Sequence, residues 1–136
     1  DRGLTTSVAP FNAFTHDPSL CLFFGSLAPG ATHAQVEQAM LAEVATLQNS
    51  GVTTAEVDAA VAKLQANLAF ARDGSFAIAG VLNEAIAVGD WTLYVTLPEK
   101  YRAVTPADVQ RVARAYFNVD QSSIGWFVPT SATPAE

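Results

Sequence analysis

The sequence predicts an α+β domain in which helices cover one face of an antiparallel sheet. Two strand-like stretches stand together near the N-terminus, three or four helical patterns follow, and one short strand-like stretch lies near the C-terminus. The 136 residues fit one domain, which we place at residues 1–130, with a loose tail at 131–136. The second strand is apolar almost throughout and needs neighbours, so we expect further strands of the sheet upstream of Asp1.

Composition excludes several classes of protein. Half of the residues are hydrophobic and 15% are charged, which excludes intrinsic disorder. Thirteen acidic against seven basic residues give a net charge of −6, which is unfavourable for binding nucleic acid or an anionic membrane surface. The longest stretch without charge, residues 18–36, is interrupted by prolines and glycines and does not predict a membrane helix. We therefore expect neither nucleic acid nor a membrane among the partners.

The two N-terminal strands predict an antiparallel hairpin. Residues 4–14 mix hydroxyl and apolar side chains, and Pro10 predicts a bulge or bend near a sheet edge. Turn-forming residues at 16–19 join this strand to residues 20–29, a nearly continuous apolar run. Gly25 inside the second strand indicates a bulge or a close approach of another segment to the backbone.

The first two helices are predicted by their ends and by their apolar stripes. Thr32 suits an N-cap and Gly51 a stop, so the first helix ends near residue 49. Thr53 and Glu56 form a capping box that begins a second helix, which runs to about Arg72. The inward stripes are Val36, Met40, Val44 and Leu47 on the first helix, and Val57, Val61, Leu64 and Leu68 on the second.

The remaining elements are less regular. A third helix follows Gly74, and its predicted inward residues are Phe76, Ala79, Leu82 and Ile86. In residues 91–104, Pro98 predicts a helical turn that begins there. Thr105, followed by proline, predicts the start of the last helix, and residues 123–128 predict a short buried strand.

The sequence contains no catalytic or metal-binding motif of a familiar kind. The nucleophile elbow, the P-loop and the dinucleotide fingerprint are all absent. We interpret His16 and His33 as solvated, with a surface metal site at His16 and Asp17 as the weaker alternative. The single Cys21 is predicted to be a small buried hydrophobe, and Glu84 to lie on a partly exposed helix face. No residue is predicted to be catalytic.

Several short patterns in a fixed order carry a resemblance to a known family. They are GLTTSVAPF, an Asp-Pro turn with LCLFFGSLAPG, LQNSGVTTAEVDAAVAKLQ, VTPADVQRVARAYF and SSIGWFVPT. This succession resembles the C-terminal part of a domain in the pitrilysin/insulinase family of zinc metallopeptidases. The matching positions are Gly51, Val52, Thr53, Glu56, Val104, Thr105, Asp108, Val109, Val112, Ala113, Tyr116 and Phe117. The resemblance extends from about residue 3 to residue 130.

The resemblance implies a repeated α+β domain whose copies build a clamshell around a peptide. In the catalytic copy an inverted HxxEH motif and a later Glu hold zinc, whereas this sequence has no HxxEH. It is therefore expected to be either the part of a catalytic domain that lies beyond the zinc motif or, as the preferred alternative, part of the non-catalytic partner domain. In either case the chain is expected to be inactive by itself and without a cofactor of its own. Zinc is expected in the partner domain or subunit, and the expected partners are that zinc-bearing domain and a peptide substrate.

The resemblance also implies one substrate-binding position. Partner domains of this family carry an Arg and a Tyr on the strand that matches residues 4–8, and both help to hold substrate near the zinc. The Tyr position falls on Thr6, which can donate a hydrogen bond but has no phenol. The Arg position would precede Asp1.

Three functions stay open at this stage. The first is a substrate-enclosing domain of a zinc metalloendopeptidase. The second is a scaffold or assembly subunit of the same family that has lost proteolysis, which Thr6 in place of Tyr favours. The third is an unrelated α+β binding module with similar helix caps. The compartment is also open, although similar peptidases of Gram-negative bacteria are often exported, which favours the periplasm.

Overall fold

The computed structural model describes residues 3–129 and confirms the α+β class. Within these residues a hairpin of two strands is followed by five α-helices and one 3-10 turn. The elements are β1 (Thr5–Asn12), β2 (Cys21–Leu27), α1 (His33–Ser50), α2 (Thr54–Phe70), α3 (Ser75–Ala87), α4 (Leu93–Arg102), α5 (Pro106–Tyr116) and the 3-10 turn Val119–Gln121. The predicted tail at 131–136 lies outside the described residues, and the domain limits stay a prediction.

The hairpin is antiparallel, as predicted, but its bulge lies elsewhere. The ladder runs without interruption from the pair Asn12–Cys21 to the pair Ser7–Ser26, and the register shifts between Thr5 and Ser7. Pro10 therefore lies within regular pairing. Pro10 is accommodated there because alternate residues of an antiparallel strand direct their N–H groups away from the partner strand.

Helix α1 packs against one face of the hairpin, and Gly25 permits its close approach. A Cβ atom at Gly25 would lie 3.4 Å from Val36 Cγ1 and 3.6 Å from Met40 Sδ. On the same face, the ring of Phe23 meets the ring of Phe117 edge-on, with centroids 5.6 Å apart. The close approach predicted at Gly25 is thus confirmed, and the helical layer covers one side of the sheet.

Helices α1 and α5 are joined at their C-terminal ends by side-chain amides. Gln48 Nε2 donates to the carbonyl oxygens of Ala113 and Phe117 at 3.1 and 2.7 Å. In return, Gln110 Nε2 and Arg114 Nε donate to the Gln48 carbonyl oxygen at 3.1 and 2.6 Å. The Ala113 carbonyl also accepts from the Phe117 N–H, whereas the Gln48 carbonyl lies at the helix end, where carbonyls have no partner within the helix, and is satisfied by these side-chain bonds.

The predicted starts of three helices are confirmed by reciprocal hydrogen bonds. In each case a threonine hydroxyl accepts from the backbone N–H three residues later, and the later side chain accepts from the threonine N–H. These capping boxes are Thr32–Gln35 at α1, Thr53–Glu56 at α2 and Thr105–Asp108 at α5. Helix α1 also ends as predicted, at Gly51, whose φ of 72° favours glycine.

Helix α3 faces inward with a different side from the one predicted. Phe76 and Ile86 are 93% and 55% exposed, whereas Ala85 is only 4% exposed. The prediction fails because α3 is apolar on nearly every side, so its sequence does not distinguish the packed face from the open one. The contact of α3 with α4 determines which side of α3 is packed.

Helix α4 begins five residues before the predicted position and contains Pro98 in its interior. Because proline has no N–H, the carbonyl of Tyr94 loses its helical partner. Arg72, which follows α2, supplies that partner through Nη2. Its guanidinium also lies 4.4 Å from the centre of the Tyr94 ring. A side chain from a neighbouring segment therefore allows the helix to continue through the proline.

The strand predicted at residues 123–128 is wrong: residues 122–129 form no ladder in the described structure. This extended segment lies against the first turns of α1 instead. Trp126 Nε1 donates to Glu37 Oε2 at 2.9 Å, and its ring stacks on His33 with centroids 5.4 Å apart. His33 Nε2 lies 3.0 Å from the carbonyl oxygen of Phe127, a hydrogen bond that holds the backbone. Side-chain contacts thus take the place of a sheet neighbour.

No helix within residues 3–129 is both long enough and apolar enough to cross a bilayer.

Candidate functional site

The face of the hairpin that points away from α1 is a candidate surface, and we call it the free face. Directly paired residues project to the same side of an antiparallel sheet, and successive residues alternate. Since Gly25 faces α1, its neighbours along β2 face the other way. The free face therefore consists of the pairs Ser7–Ser26, Ala9–Phe24 and Phe11–Leu22.

The free face is uncharged and divides into an apolar end and a hydroxyl end. Phe11 and Phe24, which lie in successive rows of this face, are 54% and 57% exposed and present apolar surface to solvent. Ser7 and Ser26 lie at the opposite end, next to the bulge. Neither residues 3–15 nor residues 18–36 contain Asp, Glu, Lys or Arg. The surface can therefore offer apolar contact and neutral hydrogen bonds.

Thr6, the predicted substrate-binding residue, lies at the hydroxyl end. It is the extra residue of the bulge, between the pairs Thr5–Leu27 and Ser7–Ser26, and it is exposed. Its Oγ1 donates to the Ser26 carbonyl oxygen at 3.4 Å. This bond uses the hydroxyl proton and leaves the oxygen lone pairs available to a donor.

The two histidines lie in different surroundings. His16 Nδ1 lies 3.3 Å from Asp17 Oδ1, and the two side chains are 69% and 92% exposed. His16 is solvated as predicted, whereas His33 is half-buried under Trp126, which corrects the prediction. Among the described residues, no three His, Cys, Asp or Glu side chains come close enough to hold a metal ion. This part of the chain therefore does not fit a zinc site, and we assign it no step through zinc.

Cys21 corrects another prediction, because it is exposed and not buried. It begins β2 and pairs with Asn12, the last residue of β1, at the loop end of the ladder. An apolar run around a residue does not guarantee burial when the residue lies at the end of a two-stranded sheet. Glu84 is exposed on α3, as predicted.

Three carboxylates titrate below their ordinary range, and each serves the fold. The Thr53 backbone N–H lowers the pKa of Glu56, with its hydroxyl adding to the effect. The pKa of Asp90 is lowered chiefly by the hydrogen bond from the Thr92 hydroxyl. The pKa of Asp108 is lowered chiefly by the hydrogen bond from the Thr105 hydroxyl. All three act in caps or turns away from the free face, so they point to no acid–base chemistry.

Sequence reasoning did not find the free face. The apolar residues of β2 are nearly continuous, so their pattern does not say which side is covered by helices. The signal that was available was Gly25, because a glycine in a strand marks the side of closest approach. Counting alternate residues from Gly25 would have separated the two faces.

Comparison with known proteins finds a family model that matches the N-terminal part of the chain. A family model described as "Peptidase M16 inactive domain" matches residues 1–64, which include the whole hairpin. No curated protein matches the sequence.

Solved structures extend the similarity to the helices. The inactive peptidase domain of a candidate zinc protease from Bordetella parapertussis has 28% identity and a TM-score of 0.83, over 98% of this chain and 71% of that chain. A candidate zinc protease from Bordetella pertussis has 28% identity and a TM-score of 0.80, over 94% of this chain and 71% of that chain. A Helicobacter pylori protease shares the fold, with 21% identity, a TM-score of 0.77, and coverage of 87% of this chain and 28% of that chain.

The fold and its relatives thus define a non-catalytic, peptidase-like α+β domain of the zinc-protease type. The family match over residues 1–64 and the similarity to inactive peptidase domains of candidate zinc proteases support a C-terminal, non-catalytic domain of the M16 peptidase type. An inactive peptidase domain implies a catalytic partner domain.

Proposed function

We propose that this chain encloses and positions peptide substrate as the non-catalytic domain of a zinc metalloendopeptidase. The observation that carries the proposal is the free face: an exposed, uncharged sheet surface opposite the helical layer. A domain that closes over a substrate removes water from the reaction site and restricts the conformations of the peptide. Such a surface suits a peptide held by apolar contact and by neutral hydrogen bonds.

The residues present indicate which steps this chain and its zinc-bearing partner would each perform. The partner domain or subunit would supply zinc and the groups that activate water, because the described part of this chain offers no ligand set. Thr6 would contribute a hydrogen bond to the peptide, with its oxygen accepting from a backbone N–H. It would hold the substrate and take no part in the transfer of protons.

A scaffold role is the second candidate, and Thr6 favours it. Where the family pattern has a phenol, this chain has a short hydroxyl that already donates to Ser26. A family member that assembles with a partner but cleaves nothing would have no need of a longer donor. Zinc content and cleavage by the whole protein distinguish the two roles.

The test uses the full-length protein with its zinc-bearing domain or subunit. We expect bound zinc and chelator-sensitive cleavage of a quenched fluorescent peptide library. Phe24→Glu on the free face should raise KM about tenfold or more, because a buried carboxylate would find no partner there. Phe76→Glu is the matched control, since Phe76 is 93% exposed on α3 and should leave KM unchanged.

Two results would contradict the proposal. A zinc-free protein that cleaves nothing and still binds its partner tightly would establish the scaffold role. Active protein in which Phe24→Glu and Phe76→Glu behave alike would remove the free face from substrate binding.

A further inference from the structure

We infer that the free face selects peptides with large apolar side chains at two positions two residues apart, and that it disfavours charged residues at both. The inference rests on the proposed function and names the substrate class of the same surface. It is carried by the order of side chains along the hairpin: two rows with phenylalanine, then one row of serines.

The spacing of the rows matches the repeat of an extended peptide. Residues that share a face of a strand are two positions apart, about 6.6–6.8 Å along its axis. The rows Phe11–Leu22 and Ala9–Phe24 follow each other at this interval. A peptide in extended conformation beside the hairpin has the same interval between its alternate side chains, so two of them meet the two apolar rows in turn.

The chemistry of these rows disfavours charge. A charged side chain pressed onto Phe11 and Phe24 loses water and gains no counter-ion, because residues 3–15 and 18–36 hold no Asp, Glu, Lys or Arg. The nearest ionic groups in the sequence, His16 and Asp17, lie in the loop and contact each other. Apolar side chains instead cover phenylalanine surface that is more than half exposed.

The serine row gives the surface a direction. Ser7 and Ser26 adjoin Thr6, so neutral hydrogen-bonding groups gather at one end only. A small or hydroxyl-bearing residue fits there, two positions beyond the second apolar residue. A peptide bound in the reverse direction would place an apolar residue on the hydroxyls and a polar residue on the phenylalanines. Read from the loop end of the hairpin towards the bulge, and in either chain direction of the peptide, the preferred pattern is therefore large apolar, any residue, large apolar, any residue, small polar.

The experiment measures kcat/KM of the full-length protein on quenched peptides that differ only at the two apolar positions. Peptides with Leu or Phe at both positions should be cleaved about tenfold or more faster than those with Glu or Lys. Phe24→Lys should raise relative cleavage of the Glu peptides, and Phe24→Glu that of the Lys peptides. Phe24→Leu should keep the apolar preference, which excludes misfolding as the cause, and Phe76→Lys is the distant control.

The outcomes separate this inference from the proposed function. If Phe24→Lys and Phe24→Glu slow all peptides equally, the surface binds peptide without selecting side chains, and the inference is overturned while the proposed function stands. If neither variant changes cleavage of any peptide by an active protein, the free face does not bind substrate and both fall. A reversal of charge preference between the two variants supports both.

Discussion

Loss of the Arg72 side chain should weaken the packing of α4 and so lower the stability of the fold. Arg72 donates to the Tyr94 carbonyl that Pro98 leaves without a partner, and it lies over the Tyr94 ring. Arg72→Met keeps much of the apolar stem and removes the donor. We expect the free energy of unfolding to fall by about 1–3 kcal/mol, measured by urea denaturation.

The matched control for this prediction is Arg111→Met. Arg111 pairs with Asp108 at 3.2 Å, and its side chain is 68% exposed. Exposed pairs of this kind contribute about 0–1 kcal/mol. Equal losses from the two variants would contradict the role given to Arg72.

Glu56 should make stability depend on pH in the acidic range. The Thr53 N–H donates to its carboxylate at 2.8 Å, and the Thr53 hydroxyl does so at 2.7 Å, which lowers the pKa in the folded state. A lowered folded pKa means that the stabilisation is complete above the unfolded pKa, about 4.3, and is lost as the pH falls below it. Glu56→Gln can retain the cap without titrating. Unfolding measured between about pH 2 and pH 6 should therefore show a shallower acid decline for this variant.

At the scale of elements, the contact between β2 and α1 tests which face of the hairpin is covered. Gly25→Val should lower the free energy of unfolding by about 1–3 kcal/mol, because its γ-carbons would enter space occupied by Val36 and Met40. Ala9→Val adds the same two γ-carbons to a strand position on the opposite, exposed face and should cost little. Chemical unfolding of both variants decides the point, and a larger cost at Ala9 would reverse the assignment of the faces.

Elements fixed by local chemistry could be predicted from the sequence, and those fixed by distant partners could not. Thr32, Thr53 and Thr105 act on residues three positions away, so the starts of α1, α2 and α5 were predictable. Helix α4 depends on Arg72, which lies 22 residues before Tyr94, and no local pattern reveals that bond. The extended segment at 122–129 was mistaken for a strand because its apolar pattern is strand-like, whereas its backbone contact comes from His33.

At the scale of the whole molecule, the candidate site was harder to predict than the fold. The resemblance to an inactive peptidase domain depends on the order of helix N-caps and of apolar helix faces along the chain, and both can be recognised in the sequence. The free face depends on which side of a nearly all-apolar hairpin α1 occupies, and only Gly25 carries that information. Helix α3 presents the same difficulty, since Phe76 and Ala85 are both apolar but differ completely in exposure.

The C-terminal segment 122–129 joins the end of the described chain to the beginning of the helical layer, and Trp126 is its principal anchor. Trp126 stacks on His33 and donates to Glu37, so Trp126→Ala removes both contacts and keeps the hydrogen bond between His33 and Phe127. We expect hydrogen exchange of the hydrogen-bonded amides in the first two turns of α1 to accelerate by about tenfold or more.

Two further variants determine whether this change reflects the anchor or a general loosening. Phe127→Ala removes a side chain that is 85% exposed and keeps the carbonyl that His33 contacts, so exchange should stay unchanged. Glu37→Gln keeps an oxygen that can accept from the indole N–H and should produce a smaller effect than Trp126→Ala. If Phe127→Ala loosens the segment as much as Trp126→Ala does, apolar contact along the whole segment holds it in place and the indole is not the anchor.

Because the segment contacts α1 near Val36, which also packs against the Gly25 backbone, its release should reach the hairpin only through α1. Exchange in β1 and β2 should therefore change less than exchange in α1.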